Sequence, residues 1–182
     1  MSTKVEATIE DLYALPHNVK AEIVDGEIVL MSPTGDMPNR VGGSIYISLR
    51  QHEGRTPGRA YTDNIGFTVD LPNRGSFSPD AAWYIGPPAG LRFLDGAPVF
   101  AVEIRSENDY GAYAENAMAM KRADYFSAGT LVVWDVDLLS PDVIKSYDQD
   151  NPDGARIFRR GDIADAEPAV PGWRISVAEL FS

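Results

Sequence analysis

Cysteine is absent from this 182-residue chain, and histidine occurs only twice, at positions 17 and 52. The first absence excludes disulfides, thiolate metal sites and a cysteine nucleophile. The second excludes a metal centre built from three or more histidines. No apolar run approaches the ~20 residues of a membrane span, and the opening Met1-Ser2-Thr3-Lys4-Val5-Glu6 has no apolar signal region. A cytoplasmic protein without membrane contact is the expectation. Basic residues are also in the minority, 16 Lys and Arg against 27 Asp and Glu, for a net charge of −11. That balance argues against a broad basic grip on nucleic acid but leaves room for a local one, where a cation brings phosphate to a cluster of acids.

What remains is an ordinary globular composition, 44% hydrophobic and 24% charged, long enough for one domain over residues 1–182 with its own core. The informative stretch runs from Ser78 to Ser106. Ser78-Pro79-Asp80 precedes the apolar run Ala81 to Ile85, and a Gly/Pro-rich connection (Gly86 to Gly96) leads to Pro98-Val99-Phe100-Ala101-Val102-Glu103-Ile104-Arg105-Ser106. Both runs read as short strands. If they pair, Asp80 and Glu103 converge at one edge of a sheet, an oxygen-only pair suited to Mg²⁺ or Mn²⁺.

Around this stretch the chain reads as mixed α and β. Thr8 caps a short helix that stops at Pro16, with Ile9, Leu12 and Tyr13 facing inward. Residues 21–31 form a hairpin about Asp25-Gly26. Val41, Ile45 and Leu49 mark a helix over 36–53 whose Gly42 and Gly43 allow close packing. Strands follow at 59–62 and 66–71, then a Pro-Asn-Arg-Gly loop. The Ala-rich segment 112–128 reads as a helix ending at Gly129, and 130–136 as a buried strand. A closing hairpin joins 143–147 to 155–159 across 148–154, and 176–181 form a last helical turn. His17 and His52, next to loop signals, are expected at the surface. The fold class is α/β (α+β) with a mixed sheet.

Several of these segments together resemble the Uma-two family of putative restriction endonucleases. They are Glu22 to Val29 followed by Met31-Ser32-Pro33, Pro79-Asp80, Val102 to Ser106, and Lys121 to Gly129 leading into Trp134-Asp135-Val136-Asp137. The resemblance extends over roughly residues 8 to 181. It implies the PD-(D/E)XK nuclease fold, a central mixed sheet flanked by helices, and Mg²⁺- or Mn²⁺-dependent hydrolysis of DNA. Asp80 and Glu103 would then be metal ligands, joined by the backbone carbonyl of Ile104, with Glu22 as a supporting acid. The superfamily's lysine position, two residues after the second acid, is Arg105 here, and Lys121 on the following helix would be the catalytic cation. The histidine that often follows the Ser-Pro turn is missing, that region reading Asp36 to Arg40. A homodimer is expected, because nucleases that cut both strands often pair two sites.

Each residue also has a plainer reading. Asp80 can simply start a strand, Lys121 can be a solvated helix residue, Glu22 an exposed hairpin residue, and Arg105 can pair with Glu107 or contact phosphate. Glu103 between Val102 and Ile104 must point to solvent or be held by a cation. The alternative function is therefore a catalytically weak or inactive member of the fold acting as a binding or assembly module. A hydrolase of smaller phosphate compounds is a third reading. A flat basic groove would favour nucleic acid, and a closed pocket a small substrate.

Overall fold

The computed structural model describes residues 6–16 and 19–182. The N-terminal six residues as a group and His17, read above as free of a signal region and as a surface residue, therefore fall wholly or partly outside it. α1 (Ile9–Tyr13) starts in a capping box in which Thr8 and Asp11 bond each other's backbone N–H. β1 (Ala21–Val24) and β2 (Glu27–Leu30) form the expected hairpin, with Asp25 and Gly26 both at positive φ. That is the two-residue turn whose twist matches paired strands. α2 (Asp36–His52), β3 (Arg59–Thr62) and β4 (Phe67–Leu71) also lie where the sequence puts them.

The Pro-Asn-Arg-Gly segment is not a loop. Leu71 pairs directly with Arg74 across a two-residue turn, and β5 (Arg74–Phe77) runs back along β4. Next come β6 (Ala81–Tyr84), then β7 (Leu94–Asp95), a strand hidden inside the Gly/Pro-rich connection, and β8 (Phe100–Ile104). α3 (Ala112–Ser127) links β8 to the parallel β9 (Val132–Val136), the crossover that parallel strands require. β10 (Ile144–Asp148) and β11 (Asn151–Phe158) close over two residues instead of the expected seven, because Asn151 N–H bonds the Asp148 carboxylate at 2.9 Å. β11 is an edge strand, where Pro152 costs no ladder bond. β12 (Ile163–Asp165), β13 (Arg174–Ser176) and a 3₁₀ turn over Val177–Phe181 finish the chain.

The strands make two larger sheets, not one: five strands in the order β2-β1-β5-β4-β7, and six in the order β11-β10-β9-β8-β6-β3. Alternation along β8 sets the layers. Phe100, Val102 and Ile104 join Trp83, Trp134 and the α2 residues Val41, Ile45 and Leu49 in one core. Ala101 faces the other way, with Ala82, Val133, Phe67, Phe77 and the α3 residues Tyr125 and Phe126. The six-stranded sheet is thus flanked by α2 on one face and by α3 and the smaller sheet on the other. Gly42 is the close-packing glycine: a Cβ there would sit 3.4 Å from Ile104 Cδ1 and 3.7 Å from the Asp80 carbonyl oxygen, whereas Gly43 faces open space.

His52 is not a surface residue. It is 7% exposed, its Nε2 lies 2.9 Å from the Pro171 carbonyl, and its ring meets Trp83 edge-on. The C-terminal segment folds back over it, an arrangement that local loop signals do not reveal. Among the described residues, no helix is long and apolar enough to cross a membrane.

Candidate active site

Ala81 pairs with Val102 in the antiparallel β6–β8 ladder, and Asp80 N–H continues it to the Val102 carbonyl at 2.9 Å. One step further along, Asp80 and Glu103 stand side by side at the strand ends. Both border a cleft of about 790 Å³ that also meets Ile104 and Lys121. Asp80 is held from below, its Oδ2 accepting from Ile104 N–H at 2.7 Å.

Glu103 points toward α3, and α3 answers with two donors. Lys121 Nζ lies 2.9 Å from Glu103 Oε2, and the Tyr125 hydroxyl donates to Oε1 at 2.6 Å. Residues four apart on a helix share a face, so one face presents both groups. Tyr125 is fixed by stacking on Phe77, ring centroids 3.9 Å apart. Its hydroxyl is pushed well above the usual phenol range, by burial first and then by Glu103, so it stays a donor.

Glu22 reaches the same lysine from the other sheet. Its Oε1 lies 2.9 Å from Lys121 Nζ and accepts from Ser78 N–H at 2.7 Å, while Oε2 pairs with Arg74 at 2.8 Å. Arg74 continues to Asp124 at 2.8 Å, one turn along α3 from Lys121. Glu22 is 2% exposed and does not border the cleft. Burial alone would raise its pKa, but Lys121 and Arg74 outweigh that and hold it below the usual carboxylate range. Glu103 goes the other way: burial raises it, Lys121 only partly opposes, and the negative Asp80 and Glu22 add to the rise. For Lys121 the desolvation cost is outweighed by the two glutamates, so it remains charged.

Arg105 takes up neither of the roles read for it. It is buried, with Nε and Nη2 forked onto Asp135 at 2.8 and 2.7 Å and a further pairing to Glu115 on α3. The β8–β9 register, which sets Glu103 opposite Asp135, brings these partners together on one face.

Sequence reasoning assigned no role to Lys20, Asp63, Arg74, Asp124 or Tyr125. Asp124 and Tyr125 carry a signal, being three and four residues after Lys121. Lys20 carries none; it stands just before β1 and pairs with Asp80 at 3.0 Å and Asp63 at 2.5 Å.

Among the described residues, no group of three or more His, Asp or Glu side chains is placed to hold a metal ion. A cation here would rest on two carboxylates, completed by backbone and water oxygens, which is how Mg²⁺ is commonly held. The charge of the cleft favours one. Four basic side chains (Lys20, Arg105, Lys121, Arg122) line it against six acidic ones (Asp63, Asp80, Glu103, Glu107, Asp109, Asp135). It is not the flat basic groove by which a nucleic-acid site would announce itself.

No curated protein matches the chain. Among solved structures, it resembles one described as a putative nuclease belonging to DUF820 from Anabaena variabilis, with a TM-score of 0.73 and 16% identity over 96% of this chain and 97% of that one. At that identity the likeness speaks for the fold. The model of the Uma2 family, described as "Putative restriction endonuclease", matches residues 9–178. The chain belongs to the Uma2 family.

Proposed function

We propose that the protein is a Mg²⁺-dependent endonuclease that hydrolyses phosphodiester bonds in DNA, with its centre at Asp80, Glu103 and Lys121. The observation that carries this reading is the convergence of Asp80 and Glu103 from paired strands onto an acid-rich cleft, with Lys121 bonded to Glu103. The family's description as a putative restriction endonuclease is consistent with nuclease chemistry, and DNA is the substrate this reading takes from it.

Asp80 and Glu103 would hold the ion, joined by the backbone carbonyl of Ile104, the residue directly after Glu103. When bound, Mg²⁺ would neutralise charge on the phosphate and make water more acidic. The chain's own groups do the rest. Ile104 N–H orients Asp80, and Tyr125 with Lys121 orients Glu103, so the donor oxygens are set before substrate arrives. An ammonium has three donors, and Glu22 and Glu103 account for two on Lys121. The third is available to a phosphate oxygen or the attacking water. Glu22, walled off from the cleft, acts as the anchor of Lys121 in this reading and not as a ligand. Two such sites in a homodimer would cut both strands.

Calorimetric titration with Mn²⁺ and Mg²⁺, followed by cleavage of plasmid DNA, tests the proposal. Asp80→Ala is expected to weaken metal binding by about tenfold or more, roughly the 1.4 kcal/mol of one lost ligand contact, and cleavage is expected to fall with it. Equal binding by both proteins, or none by either with DNA present, would leave the non-catalytic binding module as the reading.

A further inference from the structure

Lys20, a cation in the cleft, has no part in the reading above. Lys20 Nζ lies between Asp63 Oδ1 and Asp80 Oδ1. The neighbouring cations are locked in place. The Arg105 side chain is 2% exposed and forked onto Asp135, and Lys121 is tied to Glu22, whose side chain is 3% exposed. Both partners of Lys20 are on the open side, with side-chain exposures of 33% for Asp63 and 20% for Asp80. Asp80 Oδ2 is committed to Ile104 N–H, so Oδ1 is the oxygen that an incoming cation would have to share with the lysine.

The ammonium also stands in the common field of the two acids. Burial would lower its pKa, but Asp80, Asp63 and, without direct contact, Glu103 raise it. Lysine suits a replaceable partner: it is a compact charge on a flexible stem, free of the planar fork that binds an arginine to one carboxylate. Asp63, itself steadied by Asn64 N–H at 2.7 Å, can keep the ammonium in the cleft after Asp80 is given up.

We propose that Lys20 is a built-in competitor for the cation at Asp80: it neutralises the acid pair while no ion is present and moves onto Asp63 when one binds. The inference rests on the metal reading of Asp80 and Glu103. Lys20 is on this account a positioning residue that sets how readily the site fills. Once displaced, it has an ammonium donor free for a phosphate oxygen.

The test is Mn²⁺ titration of the full-length wild type, Lys20→Met and Lys20→Gln at neutral pH, with melting curves to confirm folding. Removing the competing charge is expected to tighten Mn²⁺ binding by about tenfold, in either variant should the other fail to fold. Binding by the Lys20 variants where the wild type shows none would support competition most strongly. Unchanged or weaker affinity in folded Lys20 variants, with wild-type binding still abolished by Asp80→Ala, would overturn the competition alone. Absence of Mn²⁺ binding in the wild type and in the folded Lys20 variants would overturn the metal reading and this inference with it.

Discussion

Arg105→Met is expected to destabilise the protein by about 3–5 kcal/mol, the usual result of stripping one partner from a buried ion pair. For a chain of this length that is a fall of roughly 6–20 °C in melting temperature. The loss is large because Asp135 is 4% exposed and Arg105 supplies both of its fork contacts. Without the guanidinium, a largely buried carboxylate is left without its ion-pair partner at the inner wall of the cleft, beside Val133. Glu115 adds little, since its side chain is 53% exposed and solvent screens it. The double change Arg105→Met with Asp135→Leu is expected to recover most of the loss, because buried pairs can often be exchanged for apolar groups. Arg105→Lys is informative in another way. It introduces the lysine that the sequence resemblance would lead one to expect two residues after Glu103, yet it is expected to destabilise and not to raise cleavage, because an ammonium cannot fork onto Asp135. Urea melts of the four proteins, with cleavage assays on the folded ones, check all three statements. Faster cleavage by Arg105→Lys would put position 105 back in the catalytic centre.

Lys121→Met is expected to cost about 10²–10³ in cleavage rate, as loss of a preorganised charge at a transition state commonly does. It is also expected to cost about 3 kcal/mol of stability. The two losses share a cause: Glu22 and Glu103 each lie 2.9 Å from the ammonium, and without it they repel each other across a buried space. In the wild type, Glu22's lowered pKa contributes stability that is present above its ordinary value of 4.5 and is lost as pH falls through the folded value. Glu103, with its raised pKa, imposes a cost that appears as pH rises from 4.5 through the folded value. Removing Lys121 takes away an interaction that lowers both acids, so Glu103 rises further and Glu22 loses part of its lowering, and the folded variant binds more protons than the folded wild type. Its stability deficit should therefore shrink as pH falls from 8 toward 5. A deficit constant over that range, measured by thermal melts at several pH values, would mean that the glutamates do not sense the lysine.

How much of this was legible beforehand follows from the range over which each signal acts. Strand alternation and turn chemistry are local. They placed Glu103 on one of two paired strands and Asp80 directly before the other, and they placed the Asp25-Gly26 hairpin and both long helices. Arg74 was hidden by the same turn chemistry, because Pro72-Asn73 marks a bend without saying that a buried strand follows. Its partners Glu22 and Asp124 are about fifty residues away in either direction. Arg105 depended on the register of β8 against β9, and His52 on a C-terminal segment that no local pattern ties to α2. Residue type announces that a buried charge needs a partner. It does not say which residue the fold will supply.

The buried charges around Lys121 also join separate layers. Glu22 and Arg74 belong to the five-stranded sheet, Glu103 to the six-stranded one, and Lys121, Asp124 and Tyr125 to the helix packed with them. On the proposed reading, the chemistry and the architecture draw on the same side chains, and a lineage losing that activity could not freely discard them. Mutational decay that spares the fold would begin on the cleft side, at Asp80 and Lys20, while the lysine–glutamate rivet persisted. Intact Glu22, Glu103 and Lys121 in a relative would attest to a sound scaffold, and Asp80 would be the residue that distinguishes a working copy from a retired one.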